Sequence, residues 1–168
     1  MAFDVKSFRR ALGCFATGIT VVTAAGPEGA GDIGITVNSF TSLSLDPPLI
    51  LFCLGRSSRH LGCFESGREF VVNMLSRGQE AVSSRFAVSS TQREWAGVPV
   101  RRTESGTPMV GDCLAWLRCR VSAIHEGGDH LILVGAVEAV EMADRGEPLL
   151  YFRGRYENLA RSFEPAVC

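Results

Sequence analysis

The sequence predicts a mainly β protein with few helices, its strands arranged as a closed or nearly closed barrel. Three observations carry this. About seven or eight stretches are rich in β-branched and aromatic residues, and turn signals separate them at the spacing a barrel needs. Ala115, Leu117, Cys119, Val121 and Ala123 alternate with Trp116, Arg118, Arg120 and Ser122, the period of a strand with one face in a core. Leu49-Ile50-Leu51-Phe52-Cys53-Leu54 is an unbroken apolar run, which reads as a strand buried on both faces.

The chain has 168 residues, a length that suits one domain around one core. Hydrophobic residues make up 46% and charged residues 21%, as in an ordinary globular protein. Seventeen Lys and Arg stand against 18 Asp and Glu, so a dedicated nucleic-acid surface is not expected. No apolar segment approaches the roughly 20 residues that cross a bilayer. The N-terminus interleaves Asp4, Lys6, Arg9 and Arg10 with apolar residues, unlike a secretory leader. A cytoplasmic protein with no membrane partner is expected. The cysteines form no C-x-x-C pair and sit beside no spaced His pair, which argues for reduced thiols and against a zinc site.

Taken in order, residues 4–17 are predicted helical, with Asp4 as cap, Val5, Phe8, Leu12 and Phe15 at helical spacing, and Gly18 as the stop. Residues 19–24 are a β-branched strand, and residues 33–38 pair back on it as a hairpin. The loop between contains a formal G-x-G-x-x-G at Gly29, Gly31 and Gly34. A dinucleotide fingerprint needs a helix next, but Ile35-Thr36-Val37-Asn38 follows, so a glycine-rich hairpin loop is the better account. Asp46-Pro47-Pro48 opens the next strand. A short helix over 60–65 follows, with Ser58 as candidate cap, then a strand over 69–75. Residues 76–86 read as a helix burying Ala81, Val82 and Phe86. Residues 87–97 form a polar excursion with Arg93, Glu94 and Trp95, and 98–104 an edge strand. Glu126-Gly127-Gly128-Asp129 is a hairpin turn into a long strand over 130–141, and 148–156 supplies the last strand.

The polar stretch from Thr36 to Asp46 is the candidate site. If it stays extended, Thr36, Asn38, Ser42 and Ser44 share one face. Ile33, Ile35, Val37, Leu43 and Leu45 then share the other, as core. Hydroxyls and an amide backed by core can cradle a polar planar ligand. The same residues also serve a strand end entering a turn.

Several stretches, in order, resemble one family. They are Phe8-x-x-Ala11-Leu12-Gly13, Phe15-Ala16-Thr17-Gly18-Ile19-Thr20-Val21-Val22-Thr23, and Asn38-Ser39-Phe40-Thr41-Ser42-Leu43-Ser44-Leu45-Asp46-Pro47-Pro48. Ser84-Arg85-Phe86-Ala87, Gly128-Asp129-His130 and Pro148-Leu149-Leu150-Tyr151-Phe152-Arg153-Gly154-Arg155-Tyr156 complete the set. The chain resembles the short-chain flavin reductases, the small components of two-component flavin-dependent monooxygenases. The resemblance covers nearly the whole chain as one domain, residues 1–168. It implies a split β-barrel of the FMN-binding type, a homodimer with flavin at the subunit interface, and NAD(P)H:flavin oxidoreductase activity. FMN or FAD would accept the hydride of NADH or NADPH, and reduced flavin would diffuse to a separate monooxygenase. The cofactors carry such chemistry, so no general acid or base is required.

By resemblance, Thr36, Val37, Asn38 and Ser39 touch the isoalloxazine ring, and Thr41, Ser42 and Ser44 lie towards the ribityl chain and phosphate. Turn capping by the same hydroxyls is the alternative. Cys53 and Leu54 either meet the ring edge with their main chain or pack the core. Ser58 and Arg59 either favour an anion at a helix start or act as a cap and a solvated charge. Arg85 either reaches a phosphate or lies on the surface. The resemblance puts His130 beside flavin and nicotinamide in a positional role, the one catalytic candidate. Phe152 and Tyr156 either cover the nicotinamide or pack in the barrel or dimer. Trp95 departs from the smaller aromatic expected there, which bears on flavin preference if its loop touches the adenine or phosphate end. Competing functions are a flavoprotein reductase for a corrin or ferric complex, a non-catalytic flavin sensor or carrier, and a structural dimer with a vestigial site.

Overall fold

The computed structural model describes residues 4–27, 31–88 and 95–159. Their elements are α1 (Val5–Leu12), β1 (Thr17–Gly18), β2 (Thr20–Ala25), β3 (Asp32–Val37), β4 (Thr41–Leu45), β5 (Pro48–Gly55) and β6 (Glu69–Met74). Then come α2 (Glu80–Ala87), β7 (Val100–Arg102), β8 (Pro108–Val110), β9 (Ala115–Gly127), β10 (His130–Met142), β11 (Leu150–Phe152) and β12 (Arg155–Glu157).

Seven strands form one sheet in the order β3-β2-β6-β9-β10-β5-β4, with every neighbouring pair antiparallel. β3 and β4 are consecutive in the chain yet occupy opposite edges. Residues 38–40 therefore cross from one edge to the other and curl the sheet towards a barrel. Two register shifts in the β9–β10 pair, at Val134/Gly135 and Val137/Ala139, add the local bending that such curling needs. Two small sheets, β7-β8 and β1-β11-β12, lie outside the main one.

Strand alternation sends neighbours to opposite faces, and two cores result. Val22, Phe52, Phe64, Phe70, Val72, Cys119 and Leu133 fill one. Its three phenylalanines meet edge to face, with centroids 5.5–6.1 Å apart, the arrangement that their ring quadrupoles favour. Val21, Val71, Leu75, Phe86, Trp116 and Leu149 fill the other. Asn73 is fully buried among them. Its amide nitrogen donates to the Val21 carbonyl at 2.8 Å and the Thr23 hydroxyl at 3.0 Å, and its oxygen accepts from the Val110 amide at 2.8 Å. A buried amide must be satisfied in this way, and the result ties the β7–β8 ribbon to the sheet.

The structure corrects several expectations. The first helix ends at Leu12, because Thr17 and Gly18 pair with Tyr151 and Leu150 as a strand. Asp4 does cap it, accepting from the Ser7 amide at 2.9 Å and the Ser7 hydroxyl at 2.7 Å. None of its residues is buried, and Phe15 just beyond it is 77% exposed. The polar stretch does not stay extended, since residues 38–40 break it between two strands. Leu45 is accordingly 93% exposed, and Leu43 is exposed too. β5 alternates instead of burying both faces: Ile50, Phe52 and Leu54 are buried while Leu49, Leu51 and Cys53 are half-buried.

The helix expected over 60–65 is one 3-10 turn at Leu61–Cys63. The next helix starts later than expected, at Glu80, and buries Ser83 and Phe86; Ala81 is exposed and Val82 half-buried. Residues 148–156 form a hairpin, not a single strand, because Arg153 (φ 49°) and Gly154 (φ 83°) reverse the chain. Gly29 of the glycine motif lies outside the described residues, as do Arg93, Glu94 and Cys168. Gly34 sits inside β3, which runs on to Val37 without a helix. A Cβ at Gly34 would lie 2.5 Å from the Phe86 ring, so close packing of α2 accounts for that glycine.

Candidate functional site

The end of β3 faces α2 and the C-terminal hairpin across a cleft of about 200 Å³. Thr36, Asn38, Ser83, Ala87, Tyr151 and Tyr156 line it, with Ile19 at its base. Antiparallel pairing puts Tyr151 opposite Tyr156, and their rings meet edge to face at 5.7 Å. The Tyr156 hydroxyl donates to Ser83 Oγ at 3.0 Å and lies 3.1 Å from Ser84 Oγ. The Thr36 hydroxyl donates to the Ser83 carbonyl at 2.7 Å. One turn of α2 thus fixes both walls. Asn38 is exposed, and its amide makes no hydrogen bond with a described residue. The lining carries no charged side chain. Two aromatic edges, hydroxyls and one unengaged amide suit a flat heterocycle with both donors and acceptors on its rim. The volume lies below the roughly 300–1,000 Å³ of whole-ligand pockets, so it admits one end of a larger molecule.

A second group lies where β5 meets β4 and β10. Ser39 Oγ accepts from the Cys53 amide at 3.0 Å, which closes the crossing segment onto β5. Thr41 and Ser42 pair with Leu51 and Ile50, and Ser44 pairs with Leu49. Ser58 caps its own turn: its amide donates to the Gly55 carbonyl at 2.9 Å, and its hydroxyl accepts from the His60 amide at 3.3 Å. Arg59 is exposed beside it. His130 stands opposite Gly55, where a Cβ would lie 3.9 Å from its Nε2. Its Nδ1 lies 2.7 Å from Asp129 Oδ1, which fixes the ring with Nε2 on the side of Gly55. The hydrogen bond and charge of His130, helped by Arg9, hold the Asp129 carboxyl below the usual carboxylate range.

Five other candidates are held by contacts within the chain. The Val37 side chain is buried in the core and its carbonyl accepts from the Thr20 hydroxyl at 3.1 Å, so the side chain is not presented to a ligand. The Arg85 guanidinium donates to the Ala96 carbonyl and so braces the loop after Trp95. Phe152 is half-buried under the Arg153 guanidinium, 5.1 Å from the ring centre, and the cleft is lined by Tyr151 instead. Leu54 is buried in the core, leaving only its main chain. Trp95 packs on Phe86 with centroids 4.8 Å apart, and its Nε1 donates to the Asp32 carbonyl at 3.2 Å. Asp32 begins the strand whose other end carries Thr36, about 13 Å away by strand rise, so the indole is a brace remote from the cleft.

Sequence reasoning missed Ile19, Ser83, Ala87 and Tyr151. The signal for Tyr151 was present: an x-Gly turn at Arg153-Gly154 makes Tyr151 and Tyr156 a cross-strand pair. Ser83 carried no such signal, because which helix face meets β3 is set by Phe86 on Gly34.

Residues 12–160 match the flavin reductase like domain family. The flavin-dependent monooxygenase reductase subunit HsaB of Mycobacterium tuberculosis is 40% identical over 158 residues, covering 93% of this chain and 83% of that protein. FMN reductase (NADH) SmoA of Agrobacterium fabrum is 41% identical over 156 residues, covering 93% and 87%. The structure of the Streptomyces globisporus NADH:FAD oxidoreductase SgcE6, in complex with NAD and FAD fragments, superposes with a TM-score of 0.84 at 35% identity and covers 100% of this chain and 99% of that one. With a seven-stranded antiparallel sheet whose edge strands are joined by one short crossing segment and a family match running nearly end to end, the chain belongs to the flavin reductase family.

Proposed function

We propose that this protein is an NAD(P)H:flavin oxidoreductase that supplies reduced flavin to a partner monooxygenase. The observation that carries the reading is the uncharged cleft, in which Thr36, Asn38, Ser83 and Tyr156 gather hydroxyl and amide groups between two aromatic edges. A bound flavin supplies the two-electron acceptor, so the protein needs only to hold and orient rings and exclude water. Asn38 offers an amide to the polar edge of the ring system. Ser39 holds the crossing segment in place through Cys53. Thr41, Ser42 and Ser44 line the exposed edge strand along which a ribityl phosphate extends, with Ser58 and Arg59 as a further anion contact. His130, steadied by Asp129, presents Nε2 as a positional hydrogen-bonding group. NADH is the first donor to test, since both SmoA and SgcE6 are named for it.

The reading includes a homodimer. Val5, Phe8, Leu12 and Phe15 expose an apolar face at the N-terminus, and Leu43 and Leu45 expose another on β4. Apolar patches of this kind mark association surfaces, and a second subunit would enlarge a cleft too small for a whole flavin.

The test is NADH and NADPH oxidation by purified protein, followed by loss of nicotinamide absorbance, with and without FMN or FAD. Oxidation that saturates with added flavin is the expected result. Measurable flavin binding with no oxidation of either nucleotide would overturn the reading.

A further inference from the structure

A larger pocket, about 810 Å³, opens between α1 and the turn of the C-terminal hairpin. It is bordered by Ser7, Arg10 and Ala11, which share one face of α1 by their spacing of three and four, by Cys14 in the turn that follows, and by Arg9 and Arg153. The helix therefore turns its polar face to the pocket and its apolar face outward. A backbone bond locks the geometry: the Arg153 amide donates to the Gly13 carbonyl at 2.8 Å. Arg153 itself takes a left-handed backbone, φ 49°.

Charge pairing singles this pocket out. Elsewhere the exposed arginines are largely neutralised, with Arg77 on Glu147, Arg101 on Glu141, Arg102 on Asp32, Arg120 on Glu138 and Arg155 on Glu157. Among the described residues, the guanidinium groups of Arg10 and Arg153 form no ion pair and no carboxylate lines the pocket; Arg9 beside them acts on the Asp129 carboxylate outside it. Arg153 lies over the Phe152 ring, which occupies the face of its guanidinium and leaves the in-plane N–H fork for an anion. Two unpaired guanidiniums with a third, Arg9, at their side, on a chain of net charge -1, are a site for a phosphate-bearing ligand.

The pocket is placed to serve the cleft. Tyr151 lines the cleft, and Arg153 follows two residues on, about 7 Å along the strand. We infer that Arg9, Arg10 and Arg153 bind the pyrophosphate of the nicotinamide dinucleotide while its reactive ring lies in the cleft. The inference rests on the reductase reading for its ligand, and on geometry and charge for the anion site itself.

Calorimetry with the full chain tests it, using ADP as a probe that carries the pyrophosphate and adenylate without nicotinamide, and FMN as the flavin-phosphate control. Arg10→Gln lies on an exposed helix face, and Arg153→Asn keeps a side chain that tolerates a left-handed backbone. Each variant should weaken ADP binding roughly tenfold, the scale of one charge-assisted contact. FMN affinity should not change, KM for NADH should rise with kcat retained, and Arg10→Lys should restore most of the affinity. Failure of the unsubstituted protein to bind ADP, or equal ADP affinity in all variants, would overturn the inference. Loss of FMN affinity in the same variants would overturn it as well, by giving the pocket to the flavin phosphate. ADP binding that depends on these arginines, in a protein that oxidises neither nucleotide, would uphold the anion site and sink the reductase reading instead.

Discussion

Asn38 and Ser39 are neighbours with opposite duties, and substituting each separates ligand binding from fold closure. Asn38 is exposed and its amide has no partner among the described residues. Asn38→Ala should therefore change stability by no more than about 0.5 kcal/mol, below roughly 2 °C in melting temperature for a chain of this size. If its amide meets the flavin, losing that bond should cost about 0.5–1.5 kcal/mol, or about 2- to 12-fold in Kd. Ser39 Oγ is the acceptor for the Cys53 amide at 3.0 Å. β4 pairs with β5 only as far as Leu51, so no other strand takes over that N–H. Ser39→Ala should leave it without a protein partner at a half-buried position, a loss of about 1–2 kcal/mol and roughly 2–8 °C. Flavin affinity is read by fluorescence quenching, and stability by urea and thermal unfolding. An Asn38→Ala protein with unchanged affinity and a lowered melting temperature would refute the division of labour.

Gly34→Ala should destabilise by about 1–3 kcal/mol, the usual range for overpacking, because the new Cβ would lie 2.5 Å from the Phe86 ring. Phe86→Leu added to it should recover part of the loss in urea unfolding. Burial pushes the Cys113 and Cys119 thiols up to about 12, whereas Cys14 is exposed. Brief alkylation at mildly alkaline pH, mapped by mass spectrometry, should label Cys14 and spare the other two until the protein is unfolded. Burial works to raise the Glu69 carboxyl, but hydrogen bonds from Ser105, Thr107 and Thr103 outweigh it and hold the pKa below 4.5. A depressed folded pKa stabilises above the unfolded value and is lost as pH falls through the folded one. The stability gap between the unsubstituted protein and Glu69→Gln should thus be constant above pH 4.5 and shrink below it, as read by melting at a series of pH values.

Most strands were legible in the sequence because their signals are local. The alternation of residues 115–123, the Gly-Asp turn before His130 and the Pro-Pro entry to β5 each need only a few neighbours. The errors lie where a pattern states that a face is apolar without stating what covers it. Helical spacing of Val5, Phe8 and Leu12 predicts the helix, yet nothing in that spacing shows that all three side chains stay exposed. Leu43 and Leu45 fall on the core face only if the stretch before them is continuous, and residues 38–40 interrupt it. The site was legible as composition, through Thr36 and Asn38, but its second wall was not. Ser83 and Tyr151 reach it through α2 and the hairpin, and their approach depends on tertiary contacts such as Phe86 on Gly34.

The placement of β3 and β4 on opposite edges of one sheet also bears on when the site comes into being. Cys53 is held in register by Ile132, so the anchor for Ser39 exists only after β10 has joined β5. Pairings between such distant segments form late and slowly. A chain still emerging during synthesis, or cut before residue 130, has every residue of the polar stretch and no cradle. Flavin binding would then report the last step of assembly. By mass action it would favour the completed barrel over any partly zipped form, which ties the ligand to quality control of the fold.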